Sequence, residues 1–351
     1  MTILFNKLTT TAMALALGAG MLASSALAQD KVVINMHTTV GSNVKILGSN
    51  AKIFADRVNQ ISGGTIEIRH FEPGALVPAV EYFDALSVGA LDSAWGSAGT
   101  NANKNPALVL FTSVPFGPSP GEMLGWLYHG GGIELYDEIY ASFNVKGLPC
   151  SMIAPEAAGW FNTPIDTVDD LKGLKFRIFG LGGKTLEKLG VSTQLLAGGD
   201  IAPALQRGTI DGAEFANPAV DVSFSFHKLA DYYYFPGWHQ QSSVQDFTMN
   251  LDSWNALSPT HQAVIESACA ESLMRVFAEG EALQGEALRT VEEEGVEVRK
   301  LSDDVIAALR TAWDEVVEEE AAANPDFARV YESYKAFRED YKLWSEIAYV
   351  D

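Results

Sequence analysis

A few residues have the type and spacing that ligand chemistry needs. Arg177 stands in the run Lys175-Phe176-Arg177-Ile178-Phe179. If that run is a strand with Phe176 and Ile178 toward a core, Lys175 and Arg177 share the opposite face. An arginine that leaves a strand into a cleft holds a carboxylate through two parallel hydrogen bonds. The plainer alternative is a surface salt bridge. Glu156 and Glu214 each follow an apolar segment and lie shortly before an aromatic residue. Two carboxylates beside an arginine are a donor set for a hard cation, which would then bridge to an anionic ligand. In a chain with 45 acidic residues, the alternative is that both are solvated. His239 and Gln240 sit in the loop Pro236-Gly237-Trp238-His239-Gln240-Gln241, after Tyr232-Tyr233-Tyr234. His239 is a cleft candidate or simply exposed, and Gln240 offers an amide oxygen to the same cation.

Catalytic patterns fail on inspection. Gly117-Pro118-Ser119-Pro120-Gly121 has the letters of a nucleophile elbow, but two prolines flanking the serine forbid the strand-to-helix turn that an elbow requires. Gly183-Lys184-Thr185 ends like a phosphate loop, yet Ile178 occupies the position of the required earlier glycine. Those glycines are expected to let the chain turn tightly into a helix near the cleft. The six histidines have no paired zinc spacing. The chain is therefore expected to be no enzyme and to carry no organic cofactor.

The elements that must hold these residues can be read from periodicity. The stretches 85–95 and 204–214 say nearly the same thing: Ala-Leu, a short polar turn ending in Gly89 or Gly208, then a short apolar run. Each reads as a last helical turn, a glycine cap in the left-handed region, and a buried strand. The repetition suggests two α/β lobes built alike. Ligands of such sheets bind outside the carboxyl ends of the strands, here at Trp95-Gly96 and Glu214-Phe215. Strand and helix signals alternate through the first half: strands at 32–36, 65–71 and 91–95, and helices at 43–61 and 78–88. A short helix ends at Gly173 before the Arg177 strand. Another helix begins at Thr185, and two further strand–helix units run through Gln194 and Asp211. Ser258-Pro259 is a strong helix start, and helical character continues to Gly295. A helix of about 36 residues is roughly 54 Å long and would span both lobes, with Gly280 and Gly285 marking a bend. The last helix carries Phe327, Tyr331, Tyr334, Phe337, Tyr341 and Trp344 on one face. That face packs on the chain's own surface or on a second subunit.

Bulk properties narrow the partners. The formal net charge is −21. That opposes nucleic acid and anionic membranes, and an anionic ligand would need a local cation. Residues 1–28 read as a cleaved export signal. Lys7 opens it, an apolar run follows from Ala12 to Leu22, and Ala26-Leu27-Ala28 is the cleavage site, so the mature chain is periplasmic. Cys150 and Cys269 are too few for a disulfide framework, and the sequence favours two buried free thiols over a bridge.

Taken together, the segments Pro149-Cys150 to Phe161, Leu171 to Arg177 and Gly199 to Asp211 resemble the substrate-binding proteins of TRAP transporters. Asn105-Pro106 to Phe111, Val114 to Gly117 and Tyr232 to Trp238 resemble the branch that includes 2-oxo acid and lactate binders. The resemblance covers essentially the whole mature chain. It implies a two-lobed periplasmic binding protein fold of type II-like α/β architecture, with mainly parallel sheets, a long spanning helix and hinge closure. Residues 29–152 with 243–282 would form lobe I. Residues 153–242 with 283–351 would form lobe II and the C-terminal helices. The family's carboxylate-clamping arginine falls on Arg177 and its second donor, an asparagine, on Asn217. The branch's metal ligands fall on Glu156, Glu214 and the main chain of Phe215. The chain departs from that pattern in three places. Glu156 replaces a glutamine, which favours calcium over sodium. Phe215 replaces a tryptophan. Gly99, Thr100 and Asn101 replace tyrosines, which would leave room for a larger ligand around Thr100 and Asn101. The implied function is a receptor that delivers a small organic acid to a TRAP membrane permease, with homodimerisation through the C-terminal helix. The rivals are a receptor for a neutral or amine-bearing solute held by Glu156 and Glu214, and a secreted hydrolase.

Overall fold

The computed structural model describes residues 31–348; the expected export signal lies outside them. The chain opens with β1 (Val32–Thr38), α1 (Leu47–Ile61), β2 (Ile66–Phe71), α2 (Phe83–Ser87) and β3 (Ser93–Gly96). Three helices follow: α3 (Ala107–Leu110), α4 (Pro120–His129) and α5 (Gly132–Ala141). Strand β4 (Val145–Ile153) then leaves this region for β5 (Gly159–Phe161), β6 (Lys175–Arg177), α6 (Leu181–Lys188), β7 (Ser192–Gln194), α7 (Gly198–Gln206), β8 (Gly212–Ala213), α8 (Pro218–Ser223) and β9 (Tyr232–Phe235). Strand β10 (Ser243–Asn250) returns, followed by α9 (Leu251–Asn255), α10 (Pro259–Glu293), β11 (Glu297–Lys300), α11 (Asp303–Ala323) and α12 (Pro325–Ala348).

Two sheets result, in the orders β2-β1-β3-β10-β4 and β11-β9-β5-β8-β6-β7. The local βα units pair in parallel: β1 with β2 and β3, β6 with β7 and β8. The antiparallel pairings belong to the crossings. The chain leaves through β4 and β5 and returns through β9 and β10, so β4 opposes β10 in one sheet and β5 opposes β9 in the other. The repeated glycine caps behave alike, with Gly89 at φ 72° and Gly208 at φ 65°.

Helix α10 spans the two halves. It packs on α1 and β4 at one end and on α8 further along. The Ser258 side chain accepts from the His261 amide to start it. The helix continues through Gly280 and Gly285 without a break; Gly280 is where it passes close to Ala154. Cys150 on β4 and Cys269 on α10 form a disulfide. The free thiols favoured by the sequence are thus corrected: a helix laid directly along β4 brings together two residues distant in sequence.

Helix α12 packs on α3, α4 and α5 of the first half and on α11. Tyr334 meets Trp126 edge-on at 5.5 Å, and Phe337 covers Gly125 and Gly130. Phe327 and Tyr334 are buried, so much of the aromatic stripe closes the chain's own core. Only the end of the helix stays open, with Leu343, Trp344 and Ile347 exposed. Ser119 of the elbow-like string caps α4 in a capping box with Glu122, a structural role. Among the described residues no helix is long and apolar enough to cross a membrane.

Candidate functional site

A cleft of about 670 Å³ opens where the carboxyl ends of the strands from both sheets meet. Thr39 and Val40 line it after β1, Ser97 after β3, Arg177 at the end of β6, Leu195 to Gly198 after β7, and Phe215 after β8. The crossing segments add Glu156, Gln240, Ser243 and Gln245.

Among the described residues Arg177 is the one cationic side chain in this wall. It is buried, with Phe176 packed in the core as the strand alternation requires. Its Nη1 donates to the Glu214 carbonyl at 2.5 Å and to Glu214 Oε1 at 3.0 Å. Its Nε donates to the Leu196 carbonyl at 3.2 Å, and its guanidinium lies 5.1 Å from the Phe215 ring centroid. Burial pulls the Arg177 pKa down, and the charges of Glu214, Glu156 and Asp221 oppose that.

Glu214 is 1% exposed. Burial pushes its carboxyl up, but the charge of Arg177, the nearby His239 ring and the hydrogen bond from the Phe179 amide hold it below the usual carboxylate range. Glu156 is displaced the other way. Burial, then the charges of Glu214 and Asp221, push its carboxyl well above the ordinary value. Its Oε1 accepts from Gln240 Nε2 at 2.7 Å and from Ser243 Oγ at 3.3 Å. Two carboxylates forced together with unequal partners separate in this way.

Glu156, Glu214 and His239 bring one ligand atom each to within 4.8 Å of one another. Glu156 Oε2, Glu214 Oε2 and Gln240 Oε1 are all buried without a hydrogen-bond partner. Buried oxygens left unpaired are costly unless something meets them. His239 Nε2 lies 3.4 Å from Glu214 Oε2. The residues present therefore fit a hard cation, with oxygen as the main donor.

The other sequence candidates fall in different places. Phe215 lines the cleft with its ring. Asn217 is fully buried but caps α8: its Oδ1 accepts from the Val220 amide, and its Nδ2 has no partner. It is not part of the cleft wall. Thr100 reaches the cleft, with its hydroxyl donating to the Ser97 carbonyl. Asn101 turns away, donates to Tyr82 Oη at 3.3 Å and faces an outer groove instead. The room expected around residues 99–101 lies in the outer groove that Gly99, Thr100 and Asn101 line, while the Cβ position of Gly99 itself is taken by the Phe179 ring, 2.7 Å away.

Some wall residues had no local signal. Ser243 and Gln245 belong to β10, a strand that is buried throughout despite its polar composition. That mismatch between composition and burial is the only trace in the sequence. Asp221 is also buried. It accepts from Trp160 Nε1 at 2.8 Å, Tyr233 Oη at 2.9 Å and the Ala216 amide at 3.1 Å. Burial pushes it up to about 7.

Two α/β lobes with a cleft at their strand ends, its apolar wall carrying a buried arginine and a buried carboxylate, define the class of bilobal solute-binding proteins. The comparisons make this specific. Residues 37–324 match the bacterial extracellular solute-binding protein, family 7, and the chain belongs to that family, the substrate receptors of TRAP transporters. It is 37% identical, over 86% of its length and 84% of the relative's, to a monocarboxylate 2-oxoacid-binding periplasmic protein of a Nostoc species. It superposes with TM-score 0.89 and 35% identity on a TRAP transporter solute-binding protein of Bordetella bronchiseptica, a mixed-occupancy dimer with copurified calcium and picolinate in one active site and the other site apo, covering 91% of this chain and 95% of that one. A TRAP solute-binding protein of Pseudoalteromonas atlantica with bound sodium and pyruvate matches with TM-score 0.87 and 30% identity, covering 91% and 97%. Members of this family are solute receptors and not enzymes.

Proposed function

We propose that this chain is a periplasmic receptor for a small 2-oxo or 2-hydroxy monocarboxylate, which it delivers to a TRAP permease. The observation that carries the reading is the pairing of one buried arginine with two buried carboxylates in a cleft that is otherwise largely apolar. Arg177 takes the ligand carboxylate. Asn217 Nδ2, buried and unbonded behind the wall rather than in it, would become the second donor on closure around the ligand. A second carboxylate on the ligand would find no second cation among the described residues of the wall, only hydroxyl and amide groups such as Ser97, Thr112 and Gln245 and apolar side chains such as Val40, Leu47 and Val80. That favours monoacids over diacids, in a protein whose global charge already repels anions.

A divalent cation completes the site. Glu156, Glu214 and the Gln240 side-chain oxygen would hold it, with the Phe215 main chain nearby, and His239 would orient Glu214. When bound, the ion would supply a positive centre for the acid end of a 2-oxo or 2-hydroxy acid. Charge counting supports calcium over sodium. Glu156, Glu214 and the ligand carboxylate sum to three negative charges against one from Arg177, and a dipositive ion closes the difference. The calcium-bearing relative of Bordetella is consistent with that choice. Dimerisation through the exposed Leu343, Trp344 and Ile347 end of α12 belongs to the same proposal. Light scattering at high concentration tests it, and a monomer there refutes it.

A thermal-shift screen of monocarboxylates, dicarboxylates and amino alcohols, with calcium and with chelator, tests the reading. A ligand that binds only the native state raises its melting temperature. The expected result is stabilisation by 2-oxo or 2-hydroxy monoacids with calcium. Stabilisation by amino alcohols alone would favour the amine-receptor alternative.

A further inference from the structure

We infer that Phe179 is a gate that sets ligand length, an inference that rests on the monocarboxylate reading above. The cleft has a neighbour: an outer groove of about 1570 Å³. Val80, Thr100 and Leu195 line both spaces. Phe179 lines only the inner one, while Ile178 and Gly180 on either side of it line the outer one. Its ring reaches from the β6 end to the opposite sheet's loops, where Gly99 gives it a socket. A Cβ at Gly99 would lie 2.7 Å from Phe179 Cζ and 3.3 Å from Thr112 Cβ. Thr112 in turn accepts the Gly99 amide at 2.8 Å. The ring is thus wedged where the inner and outer spaces would otherwise join.

Its backbone is fixed by the site itself, because the Phe179 amide donates to Glu214 Oε1. The gate therefore stands next to the carboxylate that Arg177 also holds. The two spaces differ in chemistry as well. The inner wall is largely apolar, while the outer groove carries Glu81, Asp84, Lys104, Lys184 and Glu187. A short acyl chain fits inside the gate, and a longer one would need the ring to move.

The test is a chain-length series of linear 2-oxo acids, from pyruvate to 2-oxooctanoate, titrated with calcium into the wild type and Phe179→Ala. In the wild type, affinity is expected to fall once the chain reaches the gate. In Phe179→Ala the fall should move to longer chains, each added methylene that stays buried gaining about fourfold. The 2-oxooctanoate-to-pyruvate affinity ratio should rise at least tenfold. That ratio is insensitive to a general loosening of closure, which lowers all affinities together. An unchanged ratio overturns the gate, while failure of the wild type to bind any acid in the series overturns the receptor reading instead. Gly99→Ala supplies an independent check. It should weaken pyruvate binding in the wild type and cost distinctly less beside Phe179→Ala, because the clash partner is gone. Equal costs in both backgrounds would show that ring and socket do not act together.

Discussion

Replacing Glu156 with glutamine removes one buried charge and almost no volume. Oε1 accepts from Gln240 and Ser243, and an amide oxygen keeps that geometry. The change should switch the cation the site prefers. With Glu156 ionised, the site and a bound carboxylate carry two net negative charges, which calcium neutralises. With glutamine they carry one, which sodium neutralises. The magnitude follows from Coulomb's law. A carboxylate about 4 Å from a unit charge interacts by about 4 kcal/mol at an effective dielectric near 20. Calcium loses twice that and sodium once, so the preference shifts toward sodium by about 4 kcal/mol, or roughly a thousandfold. Water left in the site screens part of this, so the net shift in the calcium-to-sodium ratio should be about a hundredfold. Titrating each ion into wild type and Glu156→Gln at saturating pyruvate measures it. The same ratio in both proteins would refute the charge argument and remove Glu156 from the cation site.

The remaining predictions concern the arginine and a buried acid on β10, next in sequence to the cleft residue Gln245. Arg177→Ala should weaken carboxylate binding by about 2–5 kcal/mol, and Arg177→Lys should recover less than half of that because it lacks the planar fork; unchanged calorimetric affinity in the alanine variant would exclude Arg177. Asp246 accepts from Tyr136 and Tyr140 at 2.7 and 2.6 Å, and burial pushes it from 3.8 to about 6. Between those values the folded state keeps a proton that the unfolded state has lost, so stability falls as pH rises through this window. From pH 4.5 to 7 the stability of the wild type relative to Asp246→Asn should drop by about 2 kcal/mol, as read from urea melts; a constant difference would show that Asp246 does not titrate there.

Much of the fold was legible because it depends on local rules. The glycine caps at Gly89 and Gly208, the Ser258-Pro259 helix start and the alternation around Phe176 all follow from neighbours in sequence. Arg177 was legible for the same reason, since a cation between apolar residues in a strand must go somewhere polar. What was not legible depends on separate elements meeting. Glu156 and Glu214 could be paired from the sequence, but that His239 joins them could not, because the three come from different loops that only the crossing of β4, β5, β9 and β10 brings together. The Gly99 space read as empty because the ring that fills it, Phe179, arrives from the other sheet. The helix expected over 78–88 shrinks to α2 because the residues before it serve the cleft edge instead: His37 Nε2 bonds the Ala79 carbonyl at 3.0 Å, and Val80 lines the wall. Asn217 shows the converse case, a residue whose side-chain oxygen is engaged in capping a helix.

The central claim is that a monocarboxylate and a divalent ion bind together between Arg177 and the Glu156–Glu214 pair. The most direct measurement is a calorimetric titration of the purified protein with pyruvate, once with saturating calcium and once after exhaustive chelation and dialysis. The account predicts tight one-to-one binding with calcium and a loss of about a hundredfold or more without it, since the chelated site leaves two buried carboxylates against one arginine. Equal affinity in both titrations, with no metal found by elemental analysis of the complex, would contradict it.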